Sequence, residues 1–104
     1  MDYLLQFLSG ALITNSVPHL VQGLSGARFQ SPFASPPGVG ESSPLINFYW
    51  GFANLVGGAA LLVRFTPTSA RDYLGWGIVA AGALLVGTID TLHFGKVRST
   101  TRNP

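Results

Sequence analysis

Three ionisable side chains, His19, Asp90 and His93, stand within or beside long apolar stretches, and with Asn47 they are the residues whose types can do chemistry. Asp90 and His93 are three apart, which places them on one face of a helix. Two imidazoles and a carboxylate suit a proton relay, a small ligand or a metal ion, and two imidazoles alone suit the axial ligation of haem. The same side chains equally suit a polar cluster that bonds one helix to another, and this structural role is the expected one. The chain holds no H-E-x-x-H, no P-loop, no dinucleotide-binding glycine pattern and no nucleophile elbow. No catalytic residue is therefore predicted and no resident cofactor is expected, with metal or haem as the alternative.

The elements that position these residues are legible from the gaps between charges. Only 10 % of the 104 residues are charged while 47 % are hydrophobic, against roughly 25 % charged in soluble domains. Disorder is excluded by the same apolar excess. The net charge of +2 is too small for a nucleic-acid footprint, and the absence of cysteine removes disulfides, thiolate metal sites and cysteine nucleophiles. Residues 3–27, 42–63 and 73–89 contain no Asp, Glu, Lys or Arg. Crossing a ~30 Å hydrocarbon layer takes about 20 helical residues. Their continuous apolar runs favour helices over a barrel. The expectation is an all-α membrane protein, a single domain with transmembrane helices at about 3–24, 45–65 and 73–94, a Pro/Ser-rich loop at 25–44 and a polar, frayed tail at 95–104. The first run lacks the basic start of a cleaved secretory signal, since no Lys or Arg precedes Arg28.

The loop carries Pro32, Pro36, Pro37 and Pro44, so it is not regular helix, and its Phe29 and Phe33 predict burial against the helices or at the interface. Three spans put the loop and the C-terminus on one side. Arg28, Lys96, Arg98 and Arg102 lie there, against Arg64 and Arg71 on the other, which predicts a cytoplasmic C-terminus. Helices running in these directions bring His19, Asp90, His93 and the start of the second helix to one depth, beneath the loop.

Packing without a hydrophobic drive relies on small residues and a few hydrogen bonds. Asn47, Gly51, Asn54 and Gly58 recur at spacings of four, three and four, forming one stripe beside the pair Ala53/Gly57; Gly77/Ala81 and Ala83/Gly87 repeat the device on the third helix. Pro18 predicts a bend, with Thr14, Asn15 or Ser16 answering the carbonyl it frees, and Gly23 and Gly26 let the chain leave the first helix.

The runs Pro18-His19-Leu20-Val21-Gln22-Gly23, Ser31-Pro32-Phe33-Ala34-Ser35-Pro36 and Asn47-Phe48-Tyr49-Trp50-Gly51 resemble a family of small uncharacterised bacterial integral membrane proteins. That resemblance covers about half the chain and implies a location in the bacterial inner membrane, with no activity attached. Small multidrug-resistance transporters are similar in length, but their pattern has four helices and a membrane glutamate in the first, whereas Glu41 here lies in the loop. The expected function is a non-enzymatic structural or accessory subunit, partnered by lipid and by further copies of itself or a larger membrane complex. The alternative is a protein that handles an ion, proton or small ligand through His19, Asp90 and His93.

Overall fold

The computed structural model describes residues 2–102. It consists of α1 (Tyr3–Leu24), β1 (Phe29–Gln30), β2 (Glu41–Ser42), α2 (Pro44–Arg64) and α3 (Tyr73–Arg102). Three helical stretches, Tyr3–Leu24, Pro44–Arg64 and Tyr73–Thr100, are long and apolar enough to cross a membrane. The third differs from expectation. Gly95 does not end it and no proline follows before position 104, so the expected tail continues as helix to Arg102; Asn103 and Pro104 lie outside the described residues.

Three of the helix ends have a local cause. Gly26, at φ +72°, occupies the left-handed position of a Schellman closure, with the Ala27 N–H on the Gln22 carbonyl and the Gly26 N–H on the Gly23 carbonyl. Gly23 contributes only its carbonyl to that closure, and its missing side chain serves another end. A Cβ there would meet the Phe48 nitrogen at 2.6 Å, so its role is close approach to α2. Ser43 caps α2 by accepting from the Ile46 N–H, and Pro44 fills the first helical position. Asp72 precedes α3 and accepts from the Gly75 N–H at 3.0 Å and from the Thr68 N–H at 3.0 Å.

Those two backbone N–H bonds, Gly75 first and Thr68 second, hold the Asp72 carboxyl below the usual carboxylate range. A pKa lowered by folding contributes stability that is present above the unfolded value and lost as pH falls through the folded one. Acidification through the carboxylate range is therefore expected to lower the hydrogen-exchange protection factor of the Gly75 amide. Asp72→Ala should show low protection at every pH; an unchanged, pH-independent protection factor in the wild type would refute the cap.

The helices form a layer with α1 in the middle: it contacts both α2 and α3 along its length, while those two scarcely meet. On one side of α1, Gly51 abuts Leu20 and His19, and Gly58 abuts Ile13 and Ser9. On the other, Gly10 faces the Val79 and Ala83 backbone, and Gly82 faces that of Phe7 and Ala11. α1 and α3 are thus parallel and α2 antiparallel. Of the small-residue pairs expected at contacts, Gly77/Ala81 is corrected: both residues are exposed and a Cβ on Gly77 would meet nothing within 4 Å. Ala53 is likewise exposed.

The interior is polar. Gln6, Ser9, Ser16, His19, Gln30, Ser31, Ser42, Asn47 and Asn54 are buried, whereas Leu4, Val63, Leu84 and Leu92 lie exposed. This inverts the usual arrangement of a water-soluble domain. Ser16 Oγ donates to the Ile13 carbonyl, not to the Thr14 carbonyl that Pro18 frees, and α1 stays continuous through Pro18.

Candidate functional site

The site begins with Asn47. Its position one turn into α2 aims the amide at the chain leaving the loop, and Nδ2 shares its two hydrogens among the carbonyls of Phe29 (3.0 Å), Ser42 (3.2 Å) and Ser43 (3.1 Å). With Nδ2 so committed, Oδ1 is the acceptor, and His19 Nδ1–H donates to it at 2.8 Å. This sets the imidazole tautomer. Asn47 is 0 % exposed and His19 2 %. One amide therefore ties α1, α2 and both strands of the loop together.

The loop is an ordered cap. β1 and β2 pair antiparallel, Phe29 opposite Ser42, and the Ser31 and Ser42 hydroxyls bond to each other inside the cap. Between them the Gly38 and Gly40 N–H groups donate to the carbonyls of Ser31 and Pro36, around a cis peptide bond between Ser35 and Pro36. Phe29 is buried, 4.7 Å from the Phe94 ring centroid, while Phe33 remains 63 % exposed against Trp50. Burial against the helices therefore holds for Phe29, while Phe33 lies at the surface in a T-shaped contact with Trp50.

His93 does similar work from α3. Its Nε2–H donates to the Gly38 carbonyl at 2.7 Å, a contact made beside a glycine at φ +74°. His19 and His93 both neighbour Phe94, with ring centroids 6.4 and 5.2 Å away. Asp90 lies within electrostatic reach of both imidazoles, yet no donor meets its covered Oδ2. Among the described residues no group of three or more His, Asp or Glu side chains is placed to hold a metal ion.

The chain matches no family model, no curated protein and no solved structure. The site therefore has to be read from its own geometry.

The stripe residues Asn47, Gly51, Asn54 and Gly58 are the buried positions of α2, and Asn54 accepts from Asn15 Nδ2 at 3.1 Å. Ala83 and Gly87 are half-buried on α3, with Gly87 near Thr14. Sequence reasoning passed over Gly10 and Gly82, where α1 and α3 approach most closely, and over Phe94. Gly82 sits in the run Ala80-Ala81-Gly82-Ala83, where any residue is small enough to serve, so spacing gave no register.

Beside this cluster a cleft of about 530 Å³ runs between α1 and α3. Its wall is mainly apolar, with Asp90 midway and Arg98 at its outer end, the guanidinium 5.6 Å from the Phe29 ring centroid.

Proposed function

We propose that this chain is an integral membrane protein of three spans that acts by association, as a structural or accessory subunit or as a self-assembled unit, and not by catalysis. The observation that carries the reading is the inverted surface, with serines, asparagines and a histidine inside and large apolar side chains outside. Lipid tolerates that exterior, whereas water does not. Two further features support it. Both imidazoles are engaged in holding the loop, and α3 is buried over only 6 % of its apolar window, which leaves most of a long helix for lipid or a partner.

Single cysteines at Ser35 and Ser99 are expected to label from one side of sealed vesicles and a cysteine at Ser69 from the other. In a mild detergent the protein should run larger than its 11.0 kDa monomer, beyond the bound detergent, or bring a partner with it. Labelling of positions 35 and 99 from opposite sides would overturn the three spans, and a partner-free monomer would overturn the association.

The buried, unpartnered Oδ2 of Asp90, beside His19 and His93, favours a second reading, in which this cluster handles a proton or a small ion.

A further inference from the structure

We propose that His19, Asp90 and His93 form a site for one proton, and that taking up this proton tightens the cap over the helices. The cap fixes both imidazole tautomers. His19 spends its Nδ1–H on Asn47 Oδ1 and His93 its Nε2–H on the Gly38 carbonyl, so His19 Nε2 and His93 Nδ1 are left as lone pairs. An ionised Asp90 adds acceptors only, and no donor meets its covered Oδ2. The cluster is therefore negative and has no donor to spare. One proton from the medium, bound to an imidazole lone pair or to the carboxylate, brings it to zero net charge at a depth where an uncompensated charge is costly. Among the described residues no three such groups are placed to hold a metal ion, whereas a proton needs a single lone pair. The charges felt at Asp90 are those of His19 on α1 and His93 on its own helix. From α2 the His19 ring meets Asn47 and Trp50, and from the cap Phe29, none of them ionisable. Arg28, Glu41, Tyr49 and Lys96 are exposed, and Arg98 lies over the Phe29 ring. His93 is exposed and lies about 30 Å along α3 from Tyr73, at the edge of a ~30 Å hydrocarbon layer, so the proton arrives without the bundle opening. Uptake reaches the cap because the imidazoles carry the bonds that hold it. An imidazolium N–H is a charge-assisted donor, roughly twice as strong as a neutral one, so the bond to Asn47 or to Gly38 strengthens when the proton is bound.

The proton-tightened cap rests on the reading of this cluster as one that handles a proton, and one titration separates their failures. The full chain in a sugar detergent is taken over about pH 5 to 8, the range in which imidazoles as a class change charge. Imidazole nitrogen resonances and the exchange protection of the Gly38 and Gly40 amides, which bond within the cap, are followed together. In the wild type the two imidazoles are expected to titrate as a coupled pair, and both protection factors to rise about tenfold from the alkaline to the acid end, the gain a hydrogen bond makes when its donor becomes charged. Asp90→Asn, which keeps the shape and removes the charge, should uncouple the imidazoles and remove most of the rise. His93→Gln, which keeps a donor for the Gly38 carbonyl, should leave the cap closed and reduce the rise. Imidazoles that titrate independently in the wild type overturn the proton site itself, without any variant having to fold. Coupled titration with flat protection factors overturns the proposal and leaves the proton-handling reading standing. Protection that follows sodium concentration at fixed pH overturns it in favour of a metal cation.

Discussion

Asn47→Ala is expected to free the loop from the helices and to cost on the order of 3 kcal/mol or more, the largest effect of any single side-chain truncation here. The reason is the number of groups that depend on one amide. Its removal leaves the buried His19 Nδ1–H without its acceptor and takes a donor from the buried contacts to the Phe29 and Ser42 carbonyls and from the half-buried one to Ser43. Each buried polar group left unmet costs about 1–3 kcal/mol, and repacking or an entering water recovers only part of the sum. Asn54→Ala is the comparison, since Asn54 bonds only Asn15 and its own helix at Trp50. Interhelical bonds of that kind average about 0.6 kcal/mol. The measurement is thermal stability in detergent together with hydrogen exchange at Gly38 and Gly40, whose N–H groups bond within the cap. Asn47→Ala should expose both amides, and Asn54→Ala neither. Intact protection in Asn47→Ala would mean that the cap holds itself in place through its aromatic contacts.

Gly82→Ala is expected to be, with Gly10→Ala, the most damaging insertion of a single methyl group. A Cβ at Gly82 collides with the Phe7 carbonyl of α1, and backbone cannot give way as the end of a flexible side chain can. The helices must separate, which costs about 1–3 kcal/mol and loosens the α1–α3 contact that holds the cleft. Gly10→Ala meets the Val79 carbonyl from the opposite side and should behave alike. Gly77→Ala enters open space, so it should be neutral or gain up to about 1 kcal/mol in helix propensity. Melting temperatures of the three variants in one detergent decide the matter. Similar values for Gly82→Ala and Gly77→Ala would show that α1 and α3 do not approach each other at Gly82.

The three helices and their approximate ends, the C-terminal end of α3 excepted, were legible in the sequence because uncharged runs of this length have few alternatives. The α2 stripe was legible for a different reason. Two asparagines in an otherwise apolar helix must find partners, and their spacing with Gly51 and Gly58 marks one face. On α3 the same reasoning failed. Nearly every residue there is apolar or small, so composition does not distinguish a face toward α1 from an exposed face, and Gly77 looked as suitable as Gly82.

By itself, then, the sequence determined the helical class, the number of long apolar segments and the common level of His19, Asp90 and His93 along the bundle, since these depend on composition and on rise per residue. Only the tertiary structure decided what those residues do. Whether His19 meets a metal, a carboxylate or an amide depends on the path of the loop, which its prolines make non-helical without saying where it folds. That path brings the Phe29 carbonyl onto Asn47 and the Gly38 carbonyl onto His93, committing both imidazoles to the cap. Asp90 is left beside the cleft with an oxygen no donor reaches, because hydrogen-bond partners are set by directions in space, which spacing along one helix does not contain.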